Sequence, residues 1–303
     1  MIYITEKEVE ENLTMEDTIE ILKEAFIDFG KGKALASARD RLILDGVVYN
    51  TMPAIWSSKH IAGMKTYIAG KEGAHFVVMV FDTRNNDLLA VIEANRLGQV
   101  RTGALPAMVS RMLLKDRKQR VALLGSGFQA ETQLHGLLTV FEPEWIRVFS
   151  RNYDHAASFA ERMTKKFGRE IVATKTVSET LSGASLISSI TDSKDPIFTA
   201  KHLGERYHVN LCGANLPVRR EASDDVLYTS DLVIVEHLEQ ALRESAEIIG
   251  LRQLHPRKEI VELKDFILRS QDQQYGRTVF KSMGIGLEDL AAAYLVLKKL
   301  SIL

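Results

Sequence analysis

Apolar residues at Met15, Ile19, Leu22, Phe26 and Phe29 alternate steps of four and three, one stripe of an amphipathic helix. Thr14 stands where its cap belongs and Gly30 where it stops. Beyond it the period shortens. "RLILDGVVYNTMPA" is two β-rich runs around Asp45-Gly46, a pair that takes the positive φ angles of a two-residue hairpin turn. "HFVVMVFDTRNNDLLAVIEA" repeats the theme around a polar tip at residues 83–87. The first hundred residues thus predict a helix followed by antiparallel strands.

From about residue 115 the pattern changes. "VALLG", "IRVFS", "LISSI", "VNLCG" and "LVIVE" are short, near-continuous apolar runs, the first three separated by helical stretches such as "YDHAASFAERMTKKFG". Strands apolar on both faces and alternating with helices belong to a parallel sheet covered on both sides. The predicted fold class is α/β: a Rossmann-type doubly wound parallel sheet joined to an α+β domain with antiparallel strands. The final segment, "GLEDLAAAYLVLKKL", predicts a helix with an apolar stripe at Leu287, Leu290, Tyr294 and Leu297.

Composition narrows the function classes. The 303 residues are long enough for two domains, and 46% hydrophobic with 26% charged residues and six prolines is a globular composition. A formal net charge of -1 gives no reason to expect nucleic acid or an anionic membrane as partner. The N-terminal sequence lacks a basic-then-apolar leader and no apolar run approaches the length of a membrane span, so the expected location is cytoplasmic. Cys212 is the single cysteine, which excludes an intrachain disulfide and a multi-cysteine zinc site; in "YHVNLCGA" it reads as a buried strand residue. The eight histidines show no paired metal-ligand spacing, so no metal is expected.

Chemistry enters at "VALLGSGFQAETQ". Gly125-x-Gly127-x-x-Ala130 follows the first strand of the parallel set and opens a helix expected to begin near Phe128. Gly125 permits a tight turn, Gly127 lets the backbone approach a pyrophosphate, and the helix N-terminus offers free N–H groups to the phosphates. The bland reading of the same glycines is a strand-to-helix turn with steric needs alone. At the end of the second strand, where NAD sites place a carboxylate for the ribose, stand Ser150, Arg151 and Asn152. A carboxylate there would repel a 2′-phosphate and an arginine would bind it, so NADP(H) is favoured and NAD(H) is the alternative.

"MPA" at 52–54, "AGMK" at 62–65, "VRTGA" at 100–104, "GSGFQA" at 125–130, "CGAN" at 212–215 and "SMGIGLED" at 282–289 together resemble the ornithine cyclodeaminase and mu-crystallin family, in the right order over nearly the whole chain. The resemblance implies a discontinuous substrate-binding and dimerisation domain, residues 1–114 with 288–303, flanking a dinucleotide-binding Rossmann domain at 115–287. It also implies a homodimer, with the nicotinamide held between the two domains. Matched by position, the cations for a substrate carboxylate fall on Arg39, Lys65 and Arg101, with Lys65 able to serve the reacting nitrogen. Arg41, two residues from Arg39, shares its face if "RDRLIL" is a strand, and a slip of register would exchange them. The cofactor positions implied are Gly125, Ser126, Gly127, Phe128 and Gln129, together with Thr102 and Thr191.

Two departures from the cyclodeaminases matter. Where they carry a glutamate two residues before Met-Pro and an aspartate at the end of "VNLCGAN", this chain has Asn50 and Asn215. An amide orients a substrate or water but does not take a proton as a carboxylate does. The expected activity is hydride transfer between nicotinamide and the α-carbon of a small amino or imino acid, of the ketimine reductase or L-amino-acid dehydrogenase type, with Asn215 orienting the substrate. The alternatives are an ammonia-eliminating ornithine cyclodeaminase and a non-catalytic NADP-binding protein.

Overall fold

The computed structural model describes residues 1–70, 73–269 and 274–303. The chain forms two compact units, one from Met1–Leu105 with Gly284–Leu303 and one from Pro106–Met283. Among the described residues no helix is long and apolar enough to cross a membrane.

The first unit is built on one sheet. Its strands are β1 (Ile2–Ile4), β2 (Ala34–Ala36), β3 (Asp40–Leu44), β4 (Val47–Trp56), β5 (Ile61–Gly70), β6 (Gly73–Asp82) and β7 (Leu88–Glu93). Their order is β1-β7-β6-β5-β4-β2, with β3 also on β4, and every pairing except β1 with β7 is antiparallel. Asp45 and Gly46 both have positive φ and set Leu44 opposite Val47, so the expected hairpin forms at the expected turn. The strand β1 and the short helix Glu6–Asn12 lie ahead of everything the periodicity predicts.

The long helix spans Met15–Gly30 with Thr14 as cap; it includes Gly30 rather than stopping before it. All five residues of its predicted stripe are buried. The last helix, Gly286–Lys299, packs against this helix and against β4, β5 and β6. Here the reading of a single apolar stripe is corrected: Gly286 through Ala293 are buried without interruption, as in a helix enclosed on all sides, and Tyr294 is only half-buried. Alternation along β4 sends Asn50, Met52, Ala54 and Trp56 inward, and Lys65 of β5 lies opposite Met52 on that same face.

The second unit is a wholly parallel sheet. Its strands are β8 (Arg120–Leu124), β9 (Trp145–Phe149), β10 (Val172–Ala173), β11 (Leu186–Ser189), β12 (Tyr207–Leu211), β13 (Leu232–Val235), β14 (Val261–Glu262) and β15 (Arg277–Lys281). They are ordered β10-β9-β8-β11-β12-β15-β13-β14. All five strands expected from apolar runs are present, and β11, β12 and β13 are buried at every position. The order of the first five is the doubly wound one: strands are added in one direction from β8 to β10 and in the other from β11 to β12, so the order switches between β8 and β11, where open α/β sheets bind ligands. β15, inserted between β12 and β13, is a strand the pattern does not predict.

Candidate functional site

The turn after β8 is shaped by its glycines. Gly125 donates its N–H to Phe149 O at 2.8 Å and has a φ of 112°. A Cβ there would stand 2.5 Å from the Ile190 carbonyl oxygen and 3.2 Å from Thr191 Cγ2, so the loop leaving β11 permits no side chain. Gly127 differs: it is exposed, and a Cβ on it would meet nothing within 4 Å. Ser126 and Gln129 are half-buried and Phe128 is 66% exposed. The helix starts at Ala130, two residues later than expected, because 128 and 129 form a turn closed by the Ala130 N–H on Gly127 O. No side chain caps this helix, and Gln129 Oε1 is buried without a hydrogen-bond partner.

After β9 the three predicted residues divide. Asn152 caps the helix Tyr153–Phe167, its Oδ1 accepting the Asp154 N–H at 2.9 Å. Ser150 is half-buried and Arg151 exposed. Thr191 follows β11 and Asn215 follows β12. Cys212 stands one residue beyond the end of β12 and is half-buried, which corrects the expectation of a buried strand cysteine; its N–H donates to Ser189 O.

These loops share an anchor that sequence reasoning missed. Glu221, wholly buried, accepts from Ser189 Oγ at 2.6 Å and the Thr191 N–H at 2.8 Å on Oε1, and from the Gly213 N–H at 2.7 Å and the Ala214 N–H at 3.2 Å on Oε2. Lys281 of β15, also wholly buried, donates to Ala214 O and lies 3.9 Å from Glu221 and 3.8 Å from Glu247.

In the first unit the structure brings the three predicted cations together. Lys65 reaches from β5, Arg101 from the helix Asn95–Leu113, and Arg39 from the segment before β3. All three are at least nine-tenths buried. Asp289 Oδ1 accepts from Lys65 Nζ and from Arg101 Nε, both at 3.0 Å, while Arg101 Nη1 donates to Glu288 Oε2 at 2.7 Å. Arg39 Nη2 donates to Gly284 O at 3.2 Å, and Gly284, with a φ of 76°, lies so close under the Arg101 guanidinium that a Cβ would overlap it. Arg41, two residues on, donates from Nε to Asn50 Oδ1 at 3.1 Å. Thr102 turns back on its own helix, its Oγ1 donating to Gly98 O at 2.7 Å.

The cluster sets three cations against two carboxylates, all buried. Burial lowers the Lys65 ammonium to about 8; the Asp289 charge and hydrogen bond oppose that fall, and Arg101 and Arg39 add to it. A group so placed is charged at neutral pH and still yields its proton readily. Neither Glu288 nor Asp289 is singled out by the sequence, although both fall in "SMGIGLED".

Against known proteins, the model of the ornithine cyclodeaminase/mu-crystallin family matches residues 2–302. A Δ1-pyrroline-2-carboxylate reductase of Bacillus cereus is 26% identical over 311 residues, covering 97% of this chain and 94% of the relative. The ketimine reductase mu-crystallin of Mus musculus is 30% identical over 220 residues, 72% of this chain and 67% of the relative. The solved structure of Thermococcus litoralis Δ1-pyrroline-2-carboxylate reductase in complex with NADH and L-proline superposes with a TM-score of 0.92 at 24% identity, over 99% of this chain and 97% of that one.

Proposed function

This chain belongs to the ornithine cyclodeaminase/mu-crystallin family, and we propose that it is an NAD(P)-dependent oxidoreductase acting on the α-carbon of a small amino or imino acid, of the ketimine reductase or L-amino-acid dehydrogenase type. The observation that carries this reading is the buried convergence of Arg39, Lys65 and Arg101, one positive charge in excess of Glu288 and Asp289. A small imino acid has little apolar area, so charge-assisted bonds to its carboxylate must fix its orientation. Arg39 and Arg101 are the proposed clamp. Lys65 Nζ gives a proton to the substrate nitrogen as the imine is reduced and takes one from it in reverse. Asn215 orients the substrate or a water.

Four features of the turn after β8 support a dinucleotide there: the positive φ of Gly125, the open space over Gly127, the unpartnered Gln129 Oε1 and the uncapped start of the helix Ala130–Val140. When bound, that cofactor supplies or accepts the hydride. Ser150 and the exposed Arg151 support NADP(H) over NAD(H). A homodimer is supported by the outer face of β2 to β5, where Leu35, Leu42, Tyr49, Ile55 and Ile68 share one side and are between 36% and 65% exposed. Asn50 is engaged with Arg41 and, like Asn215, takes no proton, which weighs against ornithine cyclodeamination.

The test is a panel following NADPH and NADH oxidation with five- and six-membered cyclic imino acids and with pyruvate plus ammonia. The expected result is oxidation of reduced nicotinamide with at least one of them, faster with NADPH. Ammonia release from L-ornithine without net oxidation identifies a cyclodeaminase instead. Binding of NADPH with no turnover on any compound identifies a non-catalytic binding protein.

A further inference from the structure

Asp289 occupies a position that an ordinary ion pair does not explain. It is wholly buried, and one of its oxygens, Oδ1, takes both the Lys65 ammonium and the Arg101 Nε, each at 3.0 Å. Its other oxygen, Oδ2, is buried and accepts no hydrogen bond. A carboxylate serving stability alone would fill both oxygens, since a buried acceptor left open costs about 1–3 kcal/mol. Glu288, the preceding residue, holds the far side of the same guanidinium at Nη1. Two consecutive residues at the start of one helix therefore fix the orientation of Arg101 at both ends, and one of them also sets the position of Lys65.

We propose that Asp289 is a positioning residue for this site: through Oδ1 it holds the Lys65 ammonium and the Arg101 guanidinium in one arrangement, with Glu288 bracing the guanidinium. The groups that face Lys65 are Asp289 from the terminal helix, Arg101 from the helix Asn95–Leu113, Arg39 from the segment before β3, and the rings of Tyr67 and Phe76. Asp289 favours the ammonium by its opposite charge and its hydrogen bond, whereas both arginines oppose it; Glu288, the other carboxylate of the cluster, pairs with Arg101. Without it, Lys65 faces two cations in a buried setting and loses its proton at a lower pH. The link to turnover rests on the reductase reading above, whereas the pairing itself does not.

The experiment is NMR titration of the intact protein carrying lysine labelled with 13C at Cε, the Lys65 signal being assigned by its loss in Lys65→Met. In the native chain Lys65 is expected to titrate at about 8. In Asp289→Asn the midpoint is expected at least about one pH unit lower, and Asp289→Glu is expected to restore it. The alkaline limb of kcat/KM for imine reduction should move by the same amount, and KM should rise several-fold as Arg101 loses its orientation. An unchanged Lys65 midpoint in folded Asp289→Asn overturns the proposal. Should that variant fail to fold, the native chain decides: a midpoint at about 8 supports the pairing, and one below about 7 overturns it, because the ammonium then has no supporting carboxylate. If no imino acid is reduced, the reductase reading falls while the titration still decides the role of Asp289.

Discussion

Glu221 accepts the backbone N–H of Thr191 at 2.8 Å, and its other oxygen accepts that of Gly213 at 2.7 Å. One side chain thereby ties the loop leaving β11 to the loop leaving β12, both at the edge of the sheet where a cofactor is proposed. Glu221→Ala would leave those two amides, Ser189 Oγ and the Ala214 amide without their acceptor, and would leave Lys281 with Glu247 as its remaining carboxylate. Breaking a buried charged cluster in this way costs about 3–5 kcal/mol. The expected outcome is a fall in Tm of about 6–20 °C, since about 2–4 °C per kcal/mol applies to a domain of this size. A melting point within a degree of the native one would mean that water replaces the carboxylate.

The two glycines of the turn after β8 should respond differently to gaining a side chain. Gly125→Ala places a methyl group 2.5 Å from the Ile190 carbonyl at a φ that disfavours any side chain, and should destabilise the chain by more than 1 kcal/mol, about the glycine-to-alanine cost at positive φ. A Cβ at the exposed Gly127 meets nothing within 4 Å, so Gly127→Val should leave Tm nearly unchanged while weakening NADPH binding about tenfold or more, because its side chain would occupy the approach to the helix start. Thermal melts and fluorescence titration with NADPH separate the two. Equal affinity of Gly127→Val and the native protein would place the phosphates elsewhere.

How much of this was legible from sequence depends on how local each signal is. The strands β8, β9, β11, β12 and β13 are readable because burial on both faces makes them continuously apolar, and the Asp45-Gly46 hairpin is readable because its turn needs two positive φ angles. β15 hides because it begins at Arg277 and ends at Lys281, whose ammonium is buried beside Glu221 and Glu247, residues distant in sequence. The helix Asn95–Leu113 carries Gly98, Gly103 and Pro106, which mask its period. Arg39, Lys65 and Arg101 were reached through resemblance, not pattern. Glu288 and Asp289 escaped notice because a charged pair on an apolar helix predicts exposure, and only cations 188 and 224 residues away in sequence make their burial tolerable.

His208 gives the second unit an acid sensitivity with a definite window. It is wholly buried on β12, its two ring nitrogens engaged by Thr278 Oγ1 at 2.8 Å and Asn210 Oδ1 at 3.0 Å, and Asn210 Nδ2 donates in turn to Ser110 Oγ. Burial lowers its titration from 6.5 to about 4. The unfolded chain therefore binds the proton first as pH falls, so the contribution is intact above about 6.5 and is lost between there and about 4. The full gap corresponds to about 3 kcal/mol. Tm should drop by several degrees between pH 7 and pH 5 in the native protein and by much less in His208→Gln. Parallel Tm curves for the two proteins would remove His208 as the cause.

Lys65 predicts the pH dependence of turnover. With the ammonium at about 8, imine reduction should be constant at lower pH and fall above it, and oxidation of the amino acid should rise through the same value. Lys65→Ala should lower kcat by at least about a hundredfold, the ordinary range for losing a proton donor. Its NADPH affinity should stay near native, because the role proposed for Lys65 is toward the substrate nitrogen and not toward the cofactor phosphates. Native turnover in this variant would transfer the proton role to another group.

Under the proposed function, the choice between NADPH and NADH falls to Ser150 and Arg151, the two residues after β9. Arg151 is exposed and Ser150 half-buried, and neither appears in a described hydrogen bond, whereas Asn152 already caps the following helix. Ser150→Asp with Arg151→Ala should therefore act on the ribose and leave the fold intact, while Asn152 is the wrong residue to alter because its loss frays the helix Tyr153–Phe167. A carboxylate accepts hydrogen bonds from a free 2′-hydroxyl and repels a 2′-phosphate, and removal of the guanidinium takes away the phosphate's counter-charge. The ratio of kcat/KM for NADPH to that for NADH should fall by about tenfold or more, a factor that corresponds to about 1.4 kcal/mol, well within the worth of one charge-assisted contact. An unchanged ratio would show that the 2′ position is read by other residues.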